Sequence, residues 1–329
     1  MLLYILKRLA YIIPTLFCIS LVSFLIIQLP PGDFLTSLTS AIADSGQSLD
    51  QASIDRLTAL YGLDQPFYVQ YWNWISNIIL RGDFGWSFDW GQPVSRLLWD
   101  RMGVTIFVSA LSLVLIWALA IPIGIYSAVR RYSIGDYVFT FLGFVGLAVP
   151  TFILALGLMY ISFTWFGLNV GGLFSPEYEQ APWSLAKFID LLQHLWIPVV
   201  VIAISSTAAL IRVMRANLSD ELSKPYVVTA RAKGLSEFTL IMRYPVRLAL
   251  NPFVSTIGWV LPSLISGVTI TAIVLNLPMA GPLLLRALVS QDMYLAGAFI
   301  LIMSVLTLVG MLISDILLAV LDPRVRYQQ

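Results

Sequence analysis

Residues 102–129 read MGVTIFVSALSLVLIWALAIPIGIYSAV, a run with no Lys, Arg, Asp, Glu or His, bounded by Arg101 and Arg130. A helix that crosses the hydrocarbon layer needs roughly 20 predominantly apolar residues, and this run exceeds that. The same holds for Leu9 to Gly32, Tyr137 to Pro176, Leu248 to Leu285 and Met293 to Ser314. The whole chain is 59% hydrophobic and only 11% charged. A soluble domain carries about 25% charged residues, so this chain has too little charge to cover a water-facing surface.

Hydropathy predicts an all-α polytopic membrane protein with six transmembrane helices. Their expected cores are residues 10–29, 104–128, 138–163, 195–211, 253–275 and 296–320. The fourth is the shortest charge-free run. Pro14 lies near a helix start, where proline is tolerated. Pro150 falls mid-span and predicts a kink. A proline inside a span frees a carbonyl that protein or water must satisfy, so Pro122, Pro150 and Pro262 are expected to face protein. The first apolar run follows Lys7-Arg8 and so resembles a signal peptide. It is longer than the roughly 7–15 apolar residues of such a peptide, and it ends at Pro30-Pro31-Gly32-Asp33 with no small-x-small site. It is therefore read as an uncleaved span.

Loop charge fixes the expected orientation. With the N-terminus in the cytoplasm, segments 1–9, 129–137, 212–252 and 321–329 lie inside and carry 13 of the 19 Lys and Arg residues. Twelve of the 18 acids fall in the longer outer segments. Both termini are expected in the cytoplasm. The chain then divides into 1–32 (N-terminus and first helix), 33–101 (an extracytoplasmic insertion), 102–321 (the core with helices two to six and a loop at 212–252) and 322–329 (a cytoplasmic tail).

Several function classes drop out. No basic stripe sits in a soluble region, so nucleic acid is not an expected partner. One cysteine, Cys18, and one histidine, His194, are too few for a metal site of the usual ligand count. None of Lys7, Lys187, Lys224 and Lys233 follows a glycine, so a Gly-Lys-Ser/Thr phosphate loop is absent. Ser263, Ser266 and Ser304 have no nearby histidine to support intramembrane nucleophilic catalysis. A proton- or sodium-driven carrier would need acids near the midplane and paired repeats, and neither is visible. Asp315, near the inner end of the sixth span, is expected to pair with Arg324 or Arg326.

Two soluble pieces remain. In the outer one, Leu49 to Leu60 has helical spacing with Ser48 or Asp50 as cap candidates. Tyr68, Tyr71, Trp72, Trp74 and Ile75 form an aromatic cluster, followed by Trp86, Trp90 and Trp99. This fits an interfacial aromatic belt over a small core, or a docking surface for an extracytoplasmic partner. The inner piece holds seven basic residues. Lys224-Pro225 breaks the chain, and Val227 to Lys233 runs without a breaker. Gly234 is placed as a helix stop and Ser236 as a cap for a second helix. A surface helix, a sharp turn and a return segment follow. Anionic lipid would explain the charge. The small-residue helix face suits close approach to another protein.

Tyr226-Val-Val-Thr-Ala-Arg-Ala-Lys-Gly-Leu235 resembles the cytoplasmic coupling motif of ABC importer permeases of the dipeptide and oligopeptide branch, in the "B"-type member of the permease pair. The similarity extends along nearly the whole chain. It includes Tyr4-Ile-Leu-Lys-Arg-Leu9 with Pro14-Thr15, Leu29-Pro-Pro-Gly-Asp33, Tyr61-Gly-Leu-Asp-Gln-Pro66 and Gly82-Asp-Phe-Gly-Trp-Ser87. It continues through His194-Leu-Trp-Ile-Pro198 and Leu321-Asp-Pro-Arg-Val-Arg-Tyr327. Where much of the wider superfamily opens the motif with Glu-Ala-Ala, this chain has Val228-Thr229-Ala230, as the peptide branch does. Ala272-Ile273 stand where the family commonly has Glu-Thr, and Gln291-Asp-Met-Tyr-Leu-Ala-Gly297 is similar to oligosaccharide-importing relatives.

The resemblance implies a type I importer permease fold in a bacterial inner membrane and half of a translocation pathway. The solute would be peptide, with oligosaccharide as the alternative. Implied partners are a second homologous permease, two cytoplasmic ATPases that hold ATP and magnesium, an extracytoplasmic solute-binding protein and membrane lipid. No cofactor is implied in this chain. Tyr226, Thr229, Ala230, Arg231, Ala232, Lys233, Gly234 and Leu235 would form the ATPase-coupling helix and its turn. Arg231 and Lys233 would make polar contacts with an ATPase.

Overall fold

A computed structural model describes residues 2–28, 65–87, 89–256, 268–290 and 292–321. It contains α1 (Leu2–Gln28), α2 (Phe67–Arg81), β1 (Trp86–Ser87), β2 (Gln92–Pro93), α3 (Val94–Val129), α4 (Ile134–Ala148), α5 (Thr151–Phe166) and α6 (Leu185–Leu222). The order continues with α7 (Pro225–Ala232), α8 (Glu237–Arg243), α9 (Pro245–Ala249), α10 (Thr269–Val274), α11 (Ala280–Val289) and α12 (Met293–Leu321). Among the described residues, four helices are long and apolar enough to cross a membrane: α1, α3, α6 and α12. A fifth span is added if α4 and α5 are taken together.

The expected third span, 138–163, is not one kinked helix. It is two helices bent by 101°. Pro150 has no N–H and pushes the residue before it out of helical geometry. Val149 accordingly sits at φ −84, ψ 121, and α5 restarts with Pro150 as its N-cap. The expected fourth span, 195–211, lies inside the longer α6. Lys187, Asp190, Arg212 and Arg215 limit the membrane-embedded part, but charges at its flanks do not stop helix hydrogen bonding. The expected fifth span, 253–275, includes residues 257–267, which lie outside the described residues along with Pro262. So do Leu49 to Leu60, the motifs at 29–33 and 61–64, and Arg324 and Arg326, the expected partners of Asp315.

The described residues form two compact units. One comprises the described residues within 104–281, 1–5 and 307–321. One core joins Val108 of α3, Ala155 of α5, Leu195 and Val199 of α6, and Ala272 and Leu275 of α10. Thr151 and Thr271 share a hydroxyl–hydroxyl bond of 2.9 Å, and Thr105 Oγ1 accepts from the Ala280 N–H at 2.8 Å. Asp190 ties down the loop before α6 by accepting from Ser175 N–H and Oγ at 2.8 and 2.6 Å. His194 is buried inside α6, with Nδ1 2.8 Å from the Asp190 carbonyl. A second core, at the end of α6 that leads to Pro225 and here termed the inner core, joins Ile116 and Ala120 of α3, Leu210, Met214 and Leu218 of α6, Val246 and Ala249 of α9, and Phe253.

The second unit comprises the described residues within 6–103 and 282–306. Its aromatic cluster splits by helix face. Tyr71 and Trp74 are buried with Phe24 and Leu301, whereas Tyr68 and Trp72 are exposed. Ser20 Oγ and Tyr71 Oη lie 2.7 Å apart. β1 and β2 form a short antiparallel pair, Trp86 opposite Pro93. Buried Asp292 accepts from Ser87 Oγ at 2.5 Å and from Leu295 N–H at the start of α12. Arg286 donates to Asp89 at 2.8 Å and lies 4.5 Å over the Trp90 ring. The helix that carries the second span begins at Val94, inside the segment expected to be extracytoplasmic.

Candidate coupling hairpin

The inner loop folds as the sequence predicts, as a helix, a sharp turn and a second helix. Pro225 opens α7 at a position where its missing N–H costs nothing. Lys233 N–H donates to Thr229 O at 3.1 Å and Gly234 N–H to Arg231 O at 3.0 Å, closing the last turn. Gly234 then adopts φ +80, a left-handed conformation natural to glycine, and reverses the chain. Ser236 precedes α8 with extended backbone, as a cap residue should. Its hydroxyl donates to Thr239 Oγ1 at 2.8 Å, with no cap bond to a backbone N–H.

The hairpin is anchored on one side and bare on the other. Val227 of α7 and Leu240 of α8 are fully buried. The next helix, α9, buries Val246 and Ala249 in the inner core against α6. Thr229, Arg231, Ala232, Lys233 and Gly234 are all exposed, and Tyr226, Ala230 and Leu235 are half-buried. Val228 and Phe238 add exposed apolar surface. Of the eight residues singled out by sequence, Thr229 to Leu235 run without a gap and Tyr226 stands one helical turn before Ala230, while the buried anchors are Val227, inside the motif, and Leu240, beyond it.

Two ties hold the hairpin's shape. Arg231 on α7 donates through Nε and Nη2 to the Glu237 carboxylate on α8, the second bond being 3.1 Å. Those bonds hold the Glu237 carboxyl below its usual range and the Arg231 guanidinium above its own. Tyr226 Oη donates to Glu221 Oε2 at 2.7 Å. Burial first, and then that carboxylate, push the phenol well above its ordinary range. Arg231 is thus engaged within the hairpin while its surface stays open. Glu237 lies six residues on from Arg231, and Glu221 five before Tyr226. Beside the hairpin, Pro122, Ile125, Tyr126 and Val129 of α3 and Phe238, Ile241 and Met242 of α8 line an open, mainly apolar groove of about 360 Å³.

Comparison with known proteins bears on the same residues. Residues 120–327 match the family described as the binding-protein-dependent transport system inner membrane component, and residues 1–109 match its N-terminal companion family. The oligopeptide transport system permease protein AppB of Bacillus subtilis is 34% identical over 98% of this chain and 99% of its own length. A putative peptide permease protein of Brucella ovis is 33% identical over 99% of both chains. The glutathione transport system permease protein GsiC of Escherichia coli K12 is 32% identical over the full length of both. The chain belongs to the inner membrane component family of binding-protein-dependent transport systems, and it is an all-α membrane-embedded permease.

Proposed function

We propose that this permease forms half of the translocation pathway of an ATP-driven importer for di- and oligopeptides, and that residues 226–235 are the surface through which it is driven. The observation that carries this reading is the hairpin itself: a short helix anchored by Val227 and Leu240, with Arg231 to Gly234 exposed at its tip. Such a tip suits insertion into a groove on another protein. The partners in this reading are a second homologous permease, two cytoplasmic ATPases that bind ATP and magnesium, and an extracytoplasmic solute-binding protein. The chain itself holds no cofactor and hydrolyses nothing. Both termini lie in the cytoplasm, with six spans in all.

ATP-driven closure of the ATPases displaces α7. The displacement passes through Val227, Leu240 and α9 into the inner core on α6, and the cavity changes the side to which it opens. Peptide released by the binding protein then enters. The peptide names of the relatives support the solute class. An oligosaccharide solute is the second reading, supported by the run at 291–297. The test reconstitutes the chain with its second permease, ATPases and binding protein in proteoliposomes and measures ATP-dependent uptake of labelled peptides and oligosaccharides. Peptide uptake that needs both ATP and the binding protein is expected. Uptake driven by an ion gradient without ATP would overturn the reading.

A further inference from the structure

The first turn of α4 carries an acid that the coupling scheme leaves unused. Asp136 is 1% exposed. Its Oδ2 accepts from Arg215 Nη2 at 2.8 Å and from Tyr132 N–H at 2.9 Å. Tyr132 holds φ +63, a costly conformation for a residue with a side chain. The other carboxylate oxygen, Oδ1, is buried with no partner, and so is Arg215 Nε. Orphaned buried polar atoms are destabilising, and a half-satisfied ion pair is worse than a complete one. These two orphans are complementary. Arginine and carboxylate pair side by side through two parallel N–H···O bonds. Here one of the two is made, and the atoms of the second both stand unbonded in the same pair.

The position of the pair gives the missing bond a use. Arg215 lies on α6, which runs on to Leu222, three residues before Pro225 opens the hairpin. Asp136 heads α4, which leads to the break at Pro150. We propose that Asp136 and Arg215 are positioning residues that form a two-position latch. One bond is made in this conformation, and the full two-bond fork is made in the alternate conformation of the transport cycle, when α4 and α6 draw together. The latch makes α4 follow α6 when the hairpin is pushed. It rests on the coupling role proposed for residues 226–235.

The test uses the whole complex in proteoliposomes. Arg215→Lys keeps the charge and one bond but cannot form the fork. Asp136→Asn keeps one oxygen for the bond already made. Each variant is expected to assemble normally and to hydrolyse ATP within about twofold of wild type, while uptake per ATP falls about tenfold. Wild-type uptake per ATP in either variant, or loss of assembly and hydrolysis in step with uptake, would overturn the latch. A readout independent of uptake comes from spin labels at Ile134 and Ala216, both exposed, in a Cys18→Ser background. Nucleotide trapping is expected to shorten their distance in wild type and to leave it unchanged in Arg215→Lys. An unchanged wild-type distance sinks the latch. Failure of the importer reading shows separately, as a wild-type complex that takes up no peptide.

Discussion

At Gly234 the backbone is left-handed at φ +80, yet a Cβ built there meets nothing within 4 Å. An added side chain therefore clashes with no part of this chain, and its intrinsic cost is the backbone conformation, roughly 1–2 kcal/mol. Asn and Asp tolerate that conformation better than other residues. Gly234→Asp is expected to insert normally, as judged by membrane fractionation, and, under the coupling role proposed for residues 226–235, to lose uptake by filling space at the docking surface. Gly234→Asn, matched in size, separates charge from bulk; wild-type uptake by the Asp variant would remove Gly234 from the coupling surface. The neighbouring ion pair makes a prediction about pH. Glu237 has its carboxyl lowered in the folded state, so its contribution is present above the unfolded value near 4.3 and is lost as pH falls through the lower folded value. Between about pH 5 and pH 8 the Arg231 tie is constant. Both side chains are exposed, so the change in melting temperature on Glu237→Gln is expected to be small and the same at every pH in that window. A melting temperature that differs from wild type in a pH-dependent way there would show that the pair is coupled to another titrating group.

Helix crossings are where this fold is tightest. A Cβ on Gly124 of α3 would stand 2.5 Å from Met214 Cβ on α6, and one on Gly146 of α4 would stand 2.6 Å from Ile204 Cγ2 on α6. Small residues allow such approach, and within a bilayer close contact between helices replaces the hydrophobic effect as the force that joins them. Gly124→Val must push α3 from α6 at a Cβ, which cannot rotate away, and should cost about 1–3 kcal/mol. Gly157 of α5 is the control, since a Cβ there meets nothing within 4 Å. Thermal unfolding in detergent should fall for Gly124→Val and hold for Gly157→Val; equal effects would remove the crossing as the cause. These contacts were not legible in the sequence. Apolar spans and the hairpin were, because hydropathy, Pro225 and Gly234 act locally and announce themselves within a dozen residues. Gly124 against Met214 is a pairing between residues far apart in the chain, and a glycine in an apolar run reads the same whether it faces a helix or lipid. Asp136 with Arg215 was hidden for the same reason, although the single acid in the short basic loop at 129–137 was a signal. Pro150 announced a disruption but not its size, because the angle depends on what α5 packs against.

For the molecule as a whole, the span count and the charge asymmetry must agree, and the bent pair α4–α5 decides whether they do. Arg130 and Arg131 precede α4, and the loop after α5 holds Glu177 and Glu179. Positive-inside bias puts the first loop in the cytoplasm and the second outside. That assignment requires α4 and α5 together to cross the membrane once despite the 101° bend. It also requires α6 to return, so that the hairpin at 225–243 shares the side of Arg130, the side on which the proposed ATPases would sit. If the pair instead dipped in and came back, the loops at 130–133 and 167–184 would share one side, and α6 alone would place the hairpin opposite Arg131. The chain offers a clean test, since Cys18 is its one cysteine. Arg131→Cys and Gln180→Cys, both at exposed positions, are introduced singly in a Cys18→Ser background. A membrane-impermeant maleimide added to intact cells is expected to label Gln180→Cys and spare Arg131→Cys, with the pattern reversed in inside-out vesicles. Labelling of both from one side would make α4–α5 a re-entrant pair. It would also move the hairpin across the membrane from Arg131, against the charge bias from which the orientation is expected.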